Sequence, residues 1–209
     1  MLKRIFVSFG FEFFEHTFIF IILDMNDIQD DIKKPYSFYE VAVADVQQAE
    51  HYNDGWFSKK ESISRLQDGH RLFVLKNNEK MIYCLWGQIK KITINWLDIN
   101  LNIPESMICI TGGYTLPEYR GKGIASKLKK EIFHKFKKEG YHHILGFVDP
   151  SNFTALKIDK KLCFKEYQTI TYKRYGYFRK YIVQKFNSDE RKTFITLFKA
   201  PKDIWKTFL

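Results

Sequence analysis

Residues 116–128, Leu116-Pro117-Glu118-Tyr119-Arg120-Gly121-Lys122-Gly123-Ile124-Ala125-Ser126-Lys127-Leu128, gather the groups best suited to hold an anion. Gly121 and Gly123 carry no Cβ, so the backbone can turn sharply and present successive N–H groups outward. A helix beginning just after them has unpaired N–H groups and a positive dipole end in its first turn, which suits a pyrophosphate. Arg120 and Lys122 add charge-assisted donors. The same spacing also fits an ordinary strand-to-helix turn with solvated basic residues, so the flanking elements must decide.

Composition narrows the field. A chain of 209 residues, 45% hydrophobic, can bury one sizeable core with short appendages. The net charge of +10 and pI near 9.3 fit an anionic partner, whether a nucleotide-like cofactor, nucleic acid or an acidic membrane surface. A scattered lysine-rich surface explains the same excess. Three widely spaced cysteines, Cys84, Cys109 and Cys163, suggest neither a disulfide framework nor a zinc site; reduced thiols in a cytoplasmic protein without a metal are expected.

The elements around the glycine turn read as a mixed α/β domain. Ser37–Val43 predicts a first strand, and Ser58-Lys59-Lys60-Glu61 a capping box opening a helix that Gly69 ends. Arg71–Leu75 and Met81–Ile89 predict two strands about an Asn77-Asn78 turn. The link from Lys90 to Glu105 either extends a strand or starts a loop. Met107–Leu116 predicts a fourth strand, with Gly112-Gly113 marking a bulge or close backbone approach. From Gly123 to Lys138, Ile124, Leu128, Ile132, Phe133 and Phe136 share one helical face and lysines surround the other. No aromatic residues interleave with those lysines, so a solvated face is expected in preference to nucleic-acid contact. His143–Val148 predicts a fifth strand, Asn152–Leu162 a short helix, and Glu166–Arg174 and Tyr177–Phe186 closing strands. Thr193–Phe198 adds a further strand, and a helix is expected after Pro201.

Residues 1–24 stand apart. The aromatic run from Ile5 to Leu23 resembles a signal anchor, but Glu12, Glu15 and His16 interrupt it and no small-residue cleavage site follows. Met25 opens a polar segment, so residues 1–24 are expected to be an upstream extension, with a membrane anchor as the other reading. The resulting organisation is an extension at 1–35, a domain at 36–186, and a C-terminal strand and helix extension at 187–209.

The element order, the run Pro117-Glu118-Tyr119-Arg120-Gly121-Lys122-Gly123-Ile124-Ala125, and Asp149-Pro150-Ser151-Asn152-Phe153-Thr154-Ala155 about thirty residues on resemble the GNAT family of acyl-CoA-dependent N-acyltransferases. The resemblance covers about residues 36 to 175. It implies an α+β fold with a mixed sheet of about six to seven strands, splayed between the fourth and fifth, and about four flanking helices. It implies acetyl-CoA or another acyl-CoA as cosubstrate. The pyrophosphate would lie on Gly121, Lys122, Gly123, Ile124, Ala125 and Ser126, with Arg120 contributing charge. The pantetheine arm would run along Gly113, Tyr114 and Thr115 like an added strand. Asn152 matches the position that contacts this arm, although a plain helix N-cap is an equally good reading.

Amine attack on a thioester calls for a base and benefits from an acid at the leaving thiolate. In many members a tyrosine seven residues after the motif asparagine supplies that acid; here the position is Asp159, and the usual glycine four residues later is Cys163. An ionised aspartate cannot donate a proton. Either burial raises its pKa, or another group such as Tyr114 acts, or thiolate departs unassisted. Glu105 and Asp98 are candidate bases, His142-His143 a candidate relay, and Cys109 a candidate nucleophile lacking a visible histidine partner. Tyr52, Trp56 and Arg65 fall in the region covering the acceptor side in similar proteins. The expected activity is acyl transfer to an amine acceptor, with an acyl-carrier protein as a further possible donor. The competing readings are a non-catalytic acyl-CoA-binding module and a basic nucleic-acid-binding protein.

Overall fold

A computed structural model of the chain describes residues 13–28, 38–42, 45–46, 58–78, 80–186 and 191–197. Nine strands form one mixed sheet: β1 (Phe13–Asp24), β2 (Tyr39–Val41), β3 (Arg71–Asn77), β4 (Lys80–Gln88), β7 (Met107–Thr115), β8 (His143–Val148), β9 (Lys165–Tyr175), β10 (Phe178–Lys185) and β11 (Arg191–Leu197). A separate hairpin pairs β5 (Lys91–Ile94) with β6 (Ile99–Asn102). Three helices complete the description: α1 (Lys59–Gln67), α2 (Ile124–Lys138) and α3 (Phe153–Lys161). The sheet runs β11-β10-β9-β1-β8-β7-β4-β3-β2, and β7 with β8 is a parallel pair in an otherwise antiparallel order.

Period-two alternation sends side chains to two covered faces. On one face Phe73, Tyr83, Leu85, Ile108, Ile110, Ile144, Ile21 and Leu23 meet the apolar stripe of α2, where Ile124, Leu128, Ile132, Phe133 and Phe136 are buried as their spacing predicts. The opposite face has two parts. Leu72, Val74, Cys84 and Trp86 pack with Ile63 and Leu66 of α1, while Phe18, Phe20, Cys109, Leu145, Ile170 and Tyr181 pack with Ile92, Ile94, Leu97, Ile99 and Leu101 of the hairpin region.

The apolar stretch read as an extension or anchor is, from Phe13 on, a strand of the sheet. β1 pairs antiparallel with β8 along Ile19–Asp24 and with β9 along Phe13–Ile22. Phe20 and Leu23 are wholly buried, so the boundary drawn at residue 35 does not divide the sheet. Alternation hid within an almost continuous apolar run, as in any strand covered on both faces. No helix among the described residues is long and apolar enough to cross a membrane. β11 likewise extends the sheet, pairing with β10 from Gln184 to Phe178. These two strands raise the sheet from the six or seven strands expected to nine, and the short β2 falls within the first strand predicted at Ser37–Val43. Lys90–Glu105 is a hairpin closed by a 3-10 turn, Asn95–Leu97. The helix expected after Pro201 lies outside the described residues.

Candidate active site

Two strand irregularities define the site. β7 and β8 pair in parallel only from Met107–His143 to Ile110–Gly146; beyond that β8 continues to pair with β1, and β7 continues alone to Thr115 on that side. Against β4, the register shifts between Cys84–Tyr114 and Trp86–Thr111, so Gly112 and Gly113 together oppose Leu85. This is the bulge that the glycine pair predicts, and Gly112 has φ of +61°. A Cβ on Gly112 would approach Trp86 at 3.2 Å, whereas one on Gly113 would point to the α2 face, 3.6 Å from the Tyr83 hydroxyl and 3.9 Å from Lys129 Cε. The bulge therefore needs glycine and turns Gly113 toward the helices.

The chain leaving β7 is anchored before it reaches the glycine turn. Arg120 Nε donates to the Thr115 carbonyl at 3.0 Å, and its guanidinium lies 5.5 Å from the Tyr114 ring centre. Glu118 accepts from Lys80 at 2.6 Å, which holds its carboxyl below the usual range, and the Tyr119 hydroxyl meets Asn77 Nδ2 at 3.0 Å. Gly121 and Gly123 then take φ of +75° and +73°, and a Cβ on either would meet nothing within 4 Å. The space over both residues is open. α2 starts at Ile124 without a side-chain cap, and the Ser126 hydroxyl turns back to the Gly123 carbonyl at 3.0 Å. Uncapped N–H groups, a positive helix end, Lys122 and clear space over two glycines fit a pyrophosphate.

The other candidates separate. Asn152 caps α3, its Oδ1 accepting from Ala155 N at 3.1 Å. Asp159 is not a solvent-facing helix residue: its side chain is 5% exposed, and Lys129 Nζ lies 2.6 Å from its Oδ1. Glu105 is exposed before Met107, at the opposite end of β7 from Gly113–Thr115. Six residues of strand, about 20 Å, stand between Glu105 and Gly113, so it does not belong with them. His142 and His143 share that far end of the sheet, tied to the Ser106 carbonyl through their backbones. Asp98 is engaged by Arg179 at 2.5 Å. Cys109 is wholly buried, and burial pushes its thiol up, away from nucleophilic use. Arg65 pairs with Glu61 and stacks 5.3 Å from the Trp86 ring centre; Tyr52 and Trp56 lie outside the described residues.

Two groups escaped the sequence reading. Lys129 is not one of the surface lysines: its spacing to Ile132, Phe133 and Phe136 places it on the apolar face of α2, where it is buried. His16 was treated as an interruption of an apolar run. Its Nε2 lies 3.0 Å from Asp149 Oδ2, just past the end of β8, with the 61% exposed Trp96 stacked beside it and the Phe18 ring tilted against it. The Ser151 hydroxyl and N–H also bond Asp149 Oδ1, at 2.6 and 2.8 Å, and with His16 they keep its carboxyl below its ordinary range.

A parallel strand pair that parts beside a glycine bulge, with a glycine turn and an uncapped helix at its mouth, is an arrangement suited to a phosphate-bearing ligand. The sequence pattern described as the acetyltransferase (GNAT) family matches residues 26–162, and the chain belongs to that family. Solved structures with a similar fold include a GCN5-related N-acetyltransferase from Sphaerobacter thermophilus (14% identity, 83% of this chain and 56% of that one, TM-score 0.53). A GCN5-related N-acetyltransferase-like protein from Streptococcus suis (13% identity, 83% and 66%, TM-score 0.53) is another. A GNAT-family acetyltransferase from Colwellia psychrerythraea (10% identity, 78% and 57%, TM-score 0.53) is a third. The chain spans between just over half and two thirds of these proteins' lengths. No curated protein matches it by sequence.

Proposed function

We propose that this protein transfers an acetyl or other short acyl group from CoA to an amine. The observation that carries this reading is the opening between β7 and β8 beyond Ile110–Gly146, with the glycine turn and the start of α2 at its mouth. Gly121, Lys122, Gly123 and the first N–H groups of α2, from Ile124, Ala125 and Ser126, would hold the pyrophosphate. The stretch of β7 beyond its pairing with β8, Gly113, Tyr114 and Thr115, would take the amide-bearing arm as an added strand. Arg120 reinforces that stretch through Thr115 and leaves further N–H groups for phosphate. Asn152, which caps α3 four residues past the end of β8, would contact the same arm. The bound thioester supplies an activated acyl carbon.

The amine would come from the hairpin side. There His16, held by Asp149 next to the exposed Trp96, is the group best placed in type to take a proton from an incoming ammonium. Trp96 and Phe14 add aromatic surface suited to the body of an organic cation.

Calorimetry with CoA, followed by thiol release from acetyl-CoA across a panel of amino sugars, amino acids, polyamines and peptides, tests the reading. Micromolar CoA binding and turnover on one acceptor class are expected. Binding with no turnover on any amine would make the protein a binding module, and no CoA binding would overturn the donor assignment.

A further inference from the structure

Lys129 departs from its neighbours on α2. The lysines at 127, 130, 135, 137 and 138 are exposed or half-buried, whereas the Lys129 side chain is 11% exposed and paired with Asp159 beneath the sheet. An ion pair at this depth is poor evidence of a stabilising role. Each ion costs several kcal/mol to desolvate, and apolar side chains of similar volume commonly serve the fold as well or better. Its surroundings supply another reason for it. The side-chain-free face of Gly113 looks onto Leu85 Cδ1, the Tyr83 hydroxyl and Lys129 Cε, 3.4, 3.6 and 3.9 Å from where a Cβ would stand, where the bulge turns β7 toward the helices. Tyr83 is 1% exposed, and its hydroxyl has no hydrogen-bond partner among the described residues. Burial, with the nearby Asp159 carboxylate adding to it, pushes that phenol up and keeps it protonated. A cation and an unused hydroxyl donor therefore converge on the bulge from α2 and β4, with one carboxylate from α3 behind them. An ammonium has three protons, and Asp159 Oδ1 takes one, which leaves donors for a second anion.

We propose that Lys129 is the cation that receives the sulfur leaving the acyl carbon, with Tyr83 as a second donor to it and Asp159 as the residue that positions the lysine. This rests on the acyl-CoA reading above. In the step, the amine nitrogen bonds to the acyl carbon and the C–S bond breaks with its electron pair on sulfur. The nitrogen gives one proton to a base or to water, and the thiolate, paired with Lys129, takes one from water on release. The positive charge is fixed where negative charge develops, in a site with little water to weaken it. The pair thus does by charge what an acid at position 159 would do by proton donation.

The test titrates the CoA thiol through thiolate ultraviolet absorbance, free and bound, with each protein's own titration subtracted. On the wild-type protein the bound thiol should ionise about one pH unit or more below free CoA. In Lys129→Met/Asp159→Leu, which exchanges the pair for apolar side chains of similar size, the bound thiol should ionise at or above free CoA while calorimetric CoA affinity stays within about threefold. A bound thiol that titrates at or above the free value on the wild-type protein overturns the proposal, whether or not the double variant folds. A folded double variant that keeps the downward shift overturns it equally. If calorimetry detects no CoA binding to the wild-type protein, the donor reading falls and takes this proposal with it; binding without a thiol shift sinks only the proposal.

Discussion

The two faces of the sheet are assembled on different principles. On the helical face, the surroundings of the glycine turn come from one nearly continuous segment: β7, the turn and α2 follow one another, and β8 and α3 come next. The hairpin face draws on β1 near the start, β5–β6 in the middle and β9–β10 late in the chain, with Cys109 of β7 and Leu145 of β8 between them. The helical face offers main-chain N–H groups, a helix end and fixed cations, which suit a phosphate-bearing donor. The hairpin face offers an exposed tryptophan, aromatic side chains and a His16–Asp149 pair, which suit a variable organic acceptor. In the proposed function the phosphates would thus be held by local backbone geometry, and the acceptor by side chains that only long-range pairing brings together.

The largest effect should come from breaking the hairpin face at its root. Phe20 is wholly buried between β8 and β9, against Phe147. Phe20→Ala should cost about 3–5 kcal/mol, read as a lower midpoint in urea with the slope retained. A midpoint that does not move would mean that β1 is an appendage and that the comparison between faces has no basis.

Gly123→Val strikes the helical face at one point. No protein atom lies within 4 Å of the new Cβ, so there is no clash, although φ of +73° strains any side chain by about 1–2 kcal/mol. The branched group would occupy the space over the turn, and CoA affinity should fall by about 100-fold, or near 3 kcal/mol, by calorimetry on the folded protein. An unchanged Kd would remove the pyrophosphate from this turn.

His16→Gln tests whether the hairpin face takes part in chemistry. With the best amine of the panel, the rate at saturating acetyl-CoA should drop by about 100-fold at neutral pH while CoA affinity holds. A loss of CoA affinity instead would place His16 with the donor and collapse the division between faces.

A smaller effect sharpens how the helical face is fastened to the edge of the sheet. Arg71 of β3 bonds Glu40 of β2 and Glu139 at the end of α2, and Lys135 joins Glu139 at 3.0 Å. The Arg71 hydrogen bond is the main cause that holds the Glu139 carboxyl below its ordinary range. A carboxyl depressed on folding stabilises above its unfolded value and loses that contribution as pH falls through its folded value. Stability should therefore decline on acidification below the ordinary carboxylate range. Arg71→Ala should flatten that decline by about 1 kcal/mol, a modest figure because these carboxylates remain about one-third exposed.

Legibility followed the same division. The α2 stripe, the β7 bulge and the limits of β8 were readable because each depends on neighbours in sequence: helical spacing, a glycine pair, a short apolar strand. β1 was not, because a strand buried on both faces shows no alternation, and an aromatic run near a chain start imitates an anchor. Asp159 was visible as a departure from the family pattern, but its partner Lys129 lies thirty residues away, and their meeting is a property of how α2 packs on α3. Glu105 failed for the complementary reason. Its closeness in sequence to β7 said nothing about which end of a nine-residue strand carries the opening.

Cys163 is the second departure from the family pattern, and it isolates local backbone from long-range packing. It has φ of +67°, just past α3, where glycine would be unstrained, and its side chain is exposed. Cys163→Gly relieves the left-handed strain and gives back part of the gain as unfolded-chain entropy, so the net stabilisation should be about 0.5–1 kcal/mol. Because α3 carries Asp159 on its buried side, the same variant should leave the bound CoA thiol titration where it is in the wild-type protein. A thiol shift that changes along with stability would show that the turn after α3 sets the position of Asp159, and that donor chemistry on this face depends on more than the glycine turn and α2.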